Sequence, residues 1–249
     1  MIRRVRDAVR AVLEIILYGS KRRSSSYIKY LQKQGVAIGS GTVFFEPLTN
    51  VIDVTNPKLL KIGENVRITR GVVILTHDFS WSVLAGVYGE CLGGVAPVTI
   101  GNNVFIGMDA HIMRGVEIGD NVIIGAGSLV THNCDSNSVY AGNPARKIMT
   151  LQEFYQKKKQ SYLKDAETIA RIYSDCSLDE QRVALREHCG LFCGGEEEAL
   201  ITLMEDTGYR QVCAAFYKDR KPQFSGIEDF LNTCGHISKV DERKTGHEK

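Results

Sequence analysis

Histidine is the side chain whose ordinary pKa, about 6.5, lets it take up a proton at neutral pH. The chain places one in its only Thr-His-Asp run, Thr76–His77–Asp78. A lone histidine is more often a surface or structural residue, but the position of this one makes it a candidate general base. A regular pattern, described below, stops just after it and resumes only at Val98. Long excursions from a regular scaffold are commonly functional loops, and this one carries Trp81, Tyr88, Glu90 and Cys91. Asp78 can orient the imidazole, accept a hydrogen bond from a substrate or cap the turn that opens the loop. Metal chemistry is not indicated. His111 has no second histidine near it, and His188, Cys189, Cys193, Cys234 and His236 match no usual zinc spacing.

The elements that must position His77 are written in sixes. Ile62, Ile68 and Ile74 form one run, and Ile100, Ile106, Ile112, Ile118, Ile124 and Val130 form a second. Ile38 and Phe44 begin the same phase earlier. Glycine follows the aliphatic residue at 39, 63, 101, 107, 119 and 125, and Val66, Val72, Val104, Ala110, Val116, Val122 and Ser128 sit four places beyond it. A helix repeats at 3.6 and a strand at two, so a strict six means a short strand, a turn and another strand. Three such sides close a coil, predicting columns at 62, 100 and 118, at 68, 106 and 124, and at 74, 112 and 130. Stacked coils bury what one repeat cannot. The register breaks at 50–61 and at 79–98.

Over about residues 35–148 the chain resembles the hexapeptide-repeat acyltransferases, in the branch of galactoside and xenobiotic acetyltransferases and bacterial polysaccharide O-acetyltransferases. The resemblance rests on ILTHDF (74–79), PVTIGNNVFIG (97–107), GVEIGDNVIIGAGSLVT (115–131) and GNPARKI (142–148). It implies a left-handed parallel β-helix assembled as a homotrimer, with active sites between subunits. The handedness comes from the family alone, since general rules favour right-handed crossovers. The resemblance also implies acetyl-CoA as co-substrate, with no metal, and His77 as the base that activates a sugar hydroxyl. Met108, Ala126, Thr131, His132, Asn143 and Arg146 match the donor-binding positions, the N–H of Met108 being the candidate oxyanion donor. Family members usually have lysine or arginine where this chain has His132. Asn50, Asp53, Asp78, Trp81 and Tyr88 are expected around the carbohydrate acceptor. N-acetylation of an amino sugar and a non-catalytic binding module are the rival readings.

Composition narrows the partners. Of 249 residues 43% are hydrophobic and 24% charged, an ordinary globular balance, and a net charge of +2 without a basic stripe argues against nucleic acid. Seven irregularly spaced cysteines suit reduced thiols and a cytoplasmic setting. Ile2, Val5, Val9, Val12, Leu13 and Ile16 recur at helical spacing opposite arginines 3, 4, 6 and 10. That helix either packs on its own protein or lies on the inner face of an anionic membrane. Asp7 and Glu14 spoil a signal-peptide reading, and no segment is long enough to span a bilayer.

The ends differ from the middle. Ser24–Ser26 are expected to cap a helix over 27–34 that stops at Gly35 and closes the first coil. Beyond Ile148 the period of six gives way to helical spacing, with helices expected from Leu151 and near 177–188, 195–208 and 226–234. The predicted organisation is thus a helical segment (1–34), a β-helix (35–148), an α-helical module (149–237) and a charged, disordered tail (238–249).

Overall fold

The computed structural model describes residues 19–194 and 197–234. The N-terminal amphipathic helix, the charged tail and His236 lie outside those residues. Two compact units divide between Phe154 and Tyr155.

The first unit is a three-sided parallel β-helix. One side stacks the strands Ala37–Ile38, Leu60–Ile62, Val98–Ile100 and Glu117–Ile118. A second stacks Val43–Phe44, Arg67–Ile68, Phe105–Ile106, Val122–Ile124 and Ser138–Ala141, with Arg146–Thr150 added antiparallel at its end. The third stacks Val51–Ile52, Val73–Ile74, His111–Ile112 and Leu129–Val130. The pairings Ile62↔Ile100, Ile68↔Ile106, Ile106↔Ile124, Ile74↔Ile112 and Ile112↔Val130 reproduce the expected columns. Cys134 and Tyr140, outside the period of six, continue two of them. Every column isoleucine from 62 to 124 is at most 3% exposed, and each contributes roughly 1.5–3 kcal/mol by burial.

Turns between sides explain the small residues. A Cβ on Gly101 would fall 2.7 Å from the backbone carbon of Gly119 in the next coil, so the stack leaves no room for a side chain there. At the following corner Asn65, Asn103, Asn121 and Asn137 adopt φ of 53–57°, the left-handed region that asparagine tolerates. Their amides form a ladder, Asn103 Nδ2 donating to Asn121 Oδ1 at 2.8 Å and Asn121 Nδ2 to Asn137 Oδ1 at 3.0 Å.

The first register break is shorter than the spacing implies. Val51–Ile52 is a strand of the third column, displaced because two extra residues precede it, and only the stretch to Leu60 departs from the coil. The N-terminal helix α1 spans Ser24–Gln34, so the serines lie in its first turn and do not cap it. Ser24 Oγ instead accepts a hydrogen bond from the Phe44 N–H at 2.9 Å, tying the helix to the first coil. Tyr27 and Leu31 are buried there, and Gly35 ends the helix in the left-handed conformation. The second break contains a helix that the spacing does not reveal, α2 (Trp81–Tyr88), followed by Gly94–Val95 paired antiparallel with His77–Asp78.

In the second unit α3 (Leu151–Ile172, beginning just before the division) is followed by α4 (Leu178–Ala184), α5 (Glu198–Thr207) and α6 (Arg210–Tyr217), and the chain is helical again over 227–234. Ser177 and Glu180 form a reciprocal capping box on α4. Ala166, Ala170, Leu185, Phe192, Leu200, Met204 and Phe230 make the core. The segment 210–217 was not expected to be helical. Among the described residues no helix is long and apolar enough to cross a membrane.

Candidate active site

Two successive coils of the third side meet at His77, and a third reaches its neighbour Asp78. Asp53 follows Ile52 on one coil, Thr76 and His77 follow Ile74 on the next, and Arg114 follows Ile112 on the third. The Asp53 carboxylate is buried, its side chain only 3% exposed, while that of His77 is 37% exposed. Asp53 Oδ2 lies 2.6 Å from His77 Nδ1 and accepts from the Thr76 hydroxyl at 2.6 Å and the Thr76 N–H at 2.9 Å. Its Oδ1 accepts from the Thr55 N–H at 2.9 Å. Burial by itself would raise the Asp53 pKa, but the bonds from the Thr76 hydroxyl, Thr55, His77 and the Thr76 amide outweigh it and hold the carboxyl well below the usual range. An ionised carboxylate can only accept, so Nδ1 carries the hydrogen and Nε2 is left as the basic nitrogen.

This geometry revises the work expected of several residues. Both oxygens of Asp53 are committed inside the coil, one to His77 and Thr76 and the other to the Thr55 N–H. Asn50 is fully buried and braces the coil, its Oδ1 accepting from the Val72 N–H at 3.0 Å and its Nδ2 donating to the Phe45 carbonyl at 3.2 Å. Asp78 does not touch the imidazole. Its Oδ1 accepts from the Ser80 N–H at 3.1 Å and from the Ser80 hydroxyl, opening the turn into α2, and its Oδ2 is bound by Arg114 Nε. These contacts, the Ser80 hydroxyl first and then Arg114, lower the Asp78 pKa. Trp81 packs edge-on against Phe79 with ring centroids 4.8 Å apart, and Tyr88 is 73% exposed at the far end of α2.

The donor-side positions gather at corners of the later coils. The Gly127 N–H donates to the Met108 carbonyl at 2.7 Å, setting Met108 beside Ala126. The Leu129 N–H reaches Gly142 O at 3.0 Å and the Ala145 N–H reaches Leu129 O at 2.8 Å, drawing the turn with Asn143 and Arg146 against the strand that leads to Thr131 and His132. Met108, Ala126, Thr131, His132, Asn143 and Arg146 are all exposed. The Met108 N–H donates to no other described residue. No hydrogen bond among the described residues links this set to His77.

Spacing alone did not bring out the contacts of Thr76 and Arg114, or that Asp53 lies against His77. The signal was Ile52: once it is placed under Ile74, Asp53 falls within reach of the Thr-His pair.

The repeat places the chain in a class of bacterial transferases: residues 97–132 match the family described as "Bacterial transferase hexapeptide (six repeats)". Protein CapG of Staphylococcus aureus is 38% identical over 127 residues, a match covering 51% of this chain and 73% of that protein. Galactoside O-acetyltransferase of Escherichia coli K12 is 51% identical over 118 residues, covering 47% of this chain and 54% of that enzyme, so the match spans about half of its length. A solved maltose O-acetyltransferase from Clostridium difficile 630 is 30% identical, with 51% of this chain and 75% of that one covered and a TM-score of 0.37. The chain belongs to the hexapeptide-repeat acetyltransferases.

Proposed function

We propose that the protein moves an acetyl group from acetyl-CoA to a sugar hydroxyl, as a homotrimer wound in the family's left-handed sense, with His77 as general base. The observation that carries this reading is the His77–Asp53 pair, a buried carboxylate fixing the tautomer of a half-exposed imidazole. Nε2 takes the hydroxyl proton as the oxygen attacks the thioester carbonyl. The tetrahedral intermediate collapses, the C–S bond breaks, and the imidazolium returns the proton to the departing thiolate. The unpartnered N–H of Met108 is the oxyanion donor. Arg146, with its planar fork, meets a phosphate of the donor, and Ala126, Thr131, His132 and Asn143 line its path. The name of the galactoside enzyme favours a carbohydrate acceptor, and surface polysaccharide or its precursor is the acceptor class proposed.

The trimer is supported by apolar surface that one chain leaves uncovered: Phe79, Val83, Val87 and Tyr88 are 66–73% exposed around α2. Light scattering should return three times the 27.6 kDa of one chain. The activity is tested by following CoA release with a panel of hydroxyl and amino sugars. Release with hydroxyl acceptors is expected; release with amino sugars only would replace O- by N-transfer, and release with none would overturn both. His77→Ala is expected to cut turnover by about 10²–10⁴ with acetyl-CoA binding retained; unchanged turnover would overturn His77 as the base.

A further inference from the structure

The first half of α3 carries the wrong residues for a core-facing stripe. Tyr162, Ala166, Ile169 and Ala170 follow one face into the module's core. Continued toward the N-terminus at helical spacing, that face presents Lys159, Lys158 and Tyr155. Together with Phe216, Tyr217 and Arg220 at the end of α6 and just beyond it, they line a cleft of ≈ 470 Å³. Apolar packing would have been the cheaper way to fill such a space, and lysines beside aromatic rings do not fill it.

The rings are fixed by their neighbours. The Tyr162 hydroxyl donates to the Glu187 carbonyl at 3.1 Å, and His188 stacks behind its ring with centroids 5.0 Å apart. Phe216 stands edge-on to Tyr217 at 5.1 Å. The Tyr217 hydroxyl sits against Gly190, where a Cβ would lie 2.7 Å from it, so the glycine makes room for the ring to reach inward. The Arg220 guanidinium lies 5.2 Å from the Phe216 centroid and 5.5 Å from that of Tyr217. Neither Arg220 nor Lys159 makes an ion pair with a described residue, and no carboxylate lines the cleft. Aromatic faces with cations at their rim suit a ligand that has C–H faces to stack and a negative charge to pair.

We infer that the helical module holds a second binding site, in the cleft between Tyr155, Tyr162, Phe216 and Tyr217, for a pyranose ring carrying an anionic group, either carboxylate or phosphate. The aromatic side chains stack on the sugar, and Lys159 and Arg220 take the charge. The site deepens the proposed function by giving the helical module its own affinity for the acceptor class, but binding itself needs neither acetyl-CoA nor His77.

The experiment is calorimetric titration of the full chain, without acetyl-CoA, with a uronate-containing tetrasaccharide, its carboxyl-reduced neutral counterpart, and glucose 1-phosphate. Saturable binding of at least one anionic ligand is expected, weakened about tenfold or more by Lys159→Ala, Arg220→Ala and Phe216→Ala, with melting temperature followed for each variant. Equal binding of the neutral tetrasaccharide, no binding of either anion, or unchanged binding by all three variants would overturn the site. His77→Ala, run in parallel, separates the two readings. It should bind the anionic sugar like the parent, so failure of acetyl transfer leaves this site standing, and failure of binding leaves transfer to small acceptors untouched.

Discussion

In the β-helix Ile68, Ile106 and Ile124 occupy one place in three consecutive coils, whereas the helical module buries Ala166, Leu185, Phe192, Leu200 and Phe230, no two of which share a repeated position. The first arrangement makes each coil a copy of its neighbour, so a residue just past a column position is set by backbone pairing above and below. Asp53, His77 and Arg114 are such residues. In the second arrangement each contact is particular, and its surface is shaped by which side chains happen to meet. On the proposed readings, the contrast puts orientation-sensitive chemistry on the repeat and adaptable recognition on the module.

Beyond the loss expected of His77→Ala, the sharpest probe of that division is Asp53→Asn. An amide can donate to Nδ1 and favour the wrong tautomer, so kcat should fall by about 10²–10⁴ with little change in acetyl-CoA affinity. The same variant has an acid signature. The folded-state pKa of Asp53 lies below its unfolded value, so its contribution to stability is present above about pH 4 and is lost as pH falls toward the folded value. Denaturant titrations should therefore show the parent losing stability below about pH 4 more steeply than Asp53→Asn.

Two core truncations come next. Ile106→Ala and Phe230→Ala should each cost about 2–5 kcal/mol in chemical denaturation. Only the β-helix variant should also lower turnover with a small acceptor, and an equal fall in both would break the division. Arg114→Ala should have the smallest effect. Its pair with Asp78 is partly exposed, so global stability should hold while amide exchange quickens at Gly94 and Val95, the strand held against His77–Asp78.

The legibility of the two units follows from the same contrast. The columns from Ile62 to Val130 could be read because an identical demand recurs every six residues, and His77 stood out because the demand ceased beside it. Ile52 could not be read, since two added residues moved it off the period, and with it went the role of Asp53. The helix α2 was hidden because none of its residues is buried among the described residues, so no core imposes a spacing on Val83, Leu84 and Val87. In the module, Gly208 marked one helix end, but nothing in the apolar spacing announced α6, whose buried side is shared among Cys213, Ala214 and Tyr217.

A hydrogen-bonded pair strung across adjacent coils makes the length of the solenoid and the geometry of the pair separately adjustable. Adding one whole turn, the eighteen residues that separate Ile100 from Ile118, beyond Arg114 would lengthen the solenoid and leave the pair as it is. Adding six between Asp53 and His77, wound into the coil, would carry the carboxylate to a different side of the prism and disarm it. The effect of an insertion thus depends on where it falls: a full turn stacked beyond Arg114 is growth, and extra residues looped out at a corner, as before Ile52 and between Asp78 and Val98, leave the columns in place.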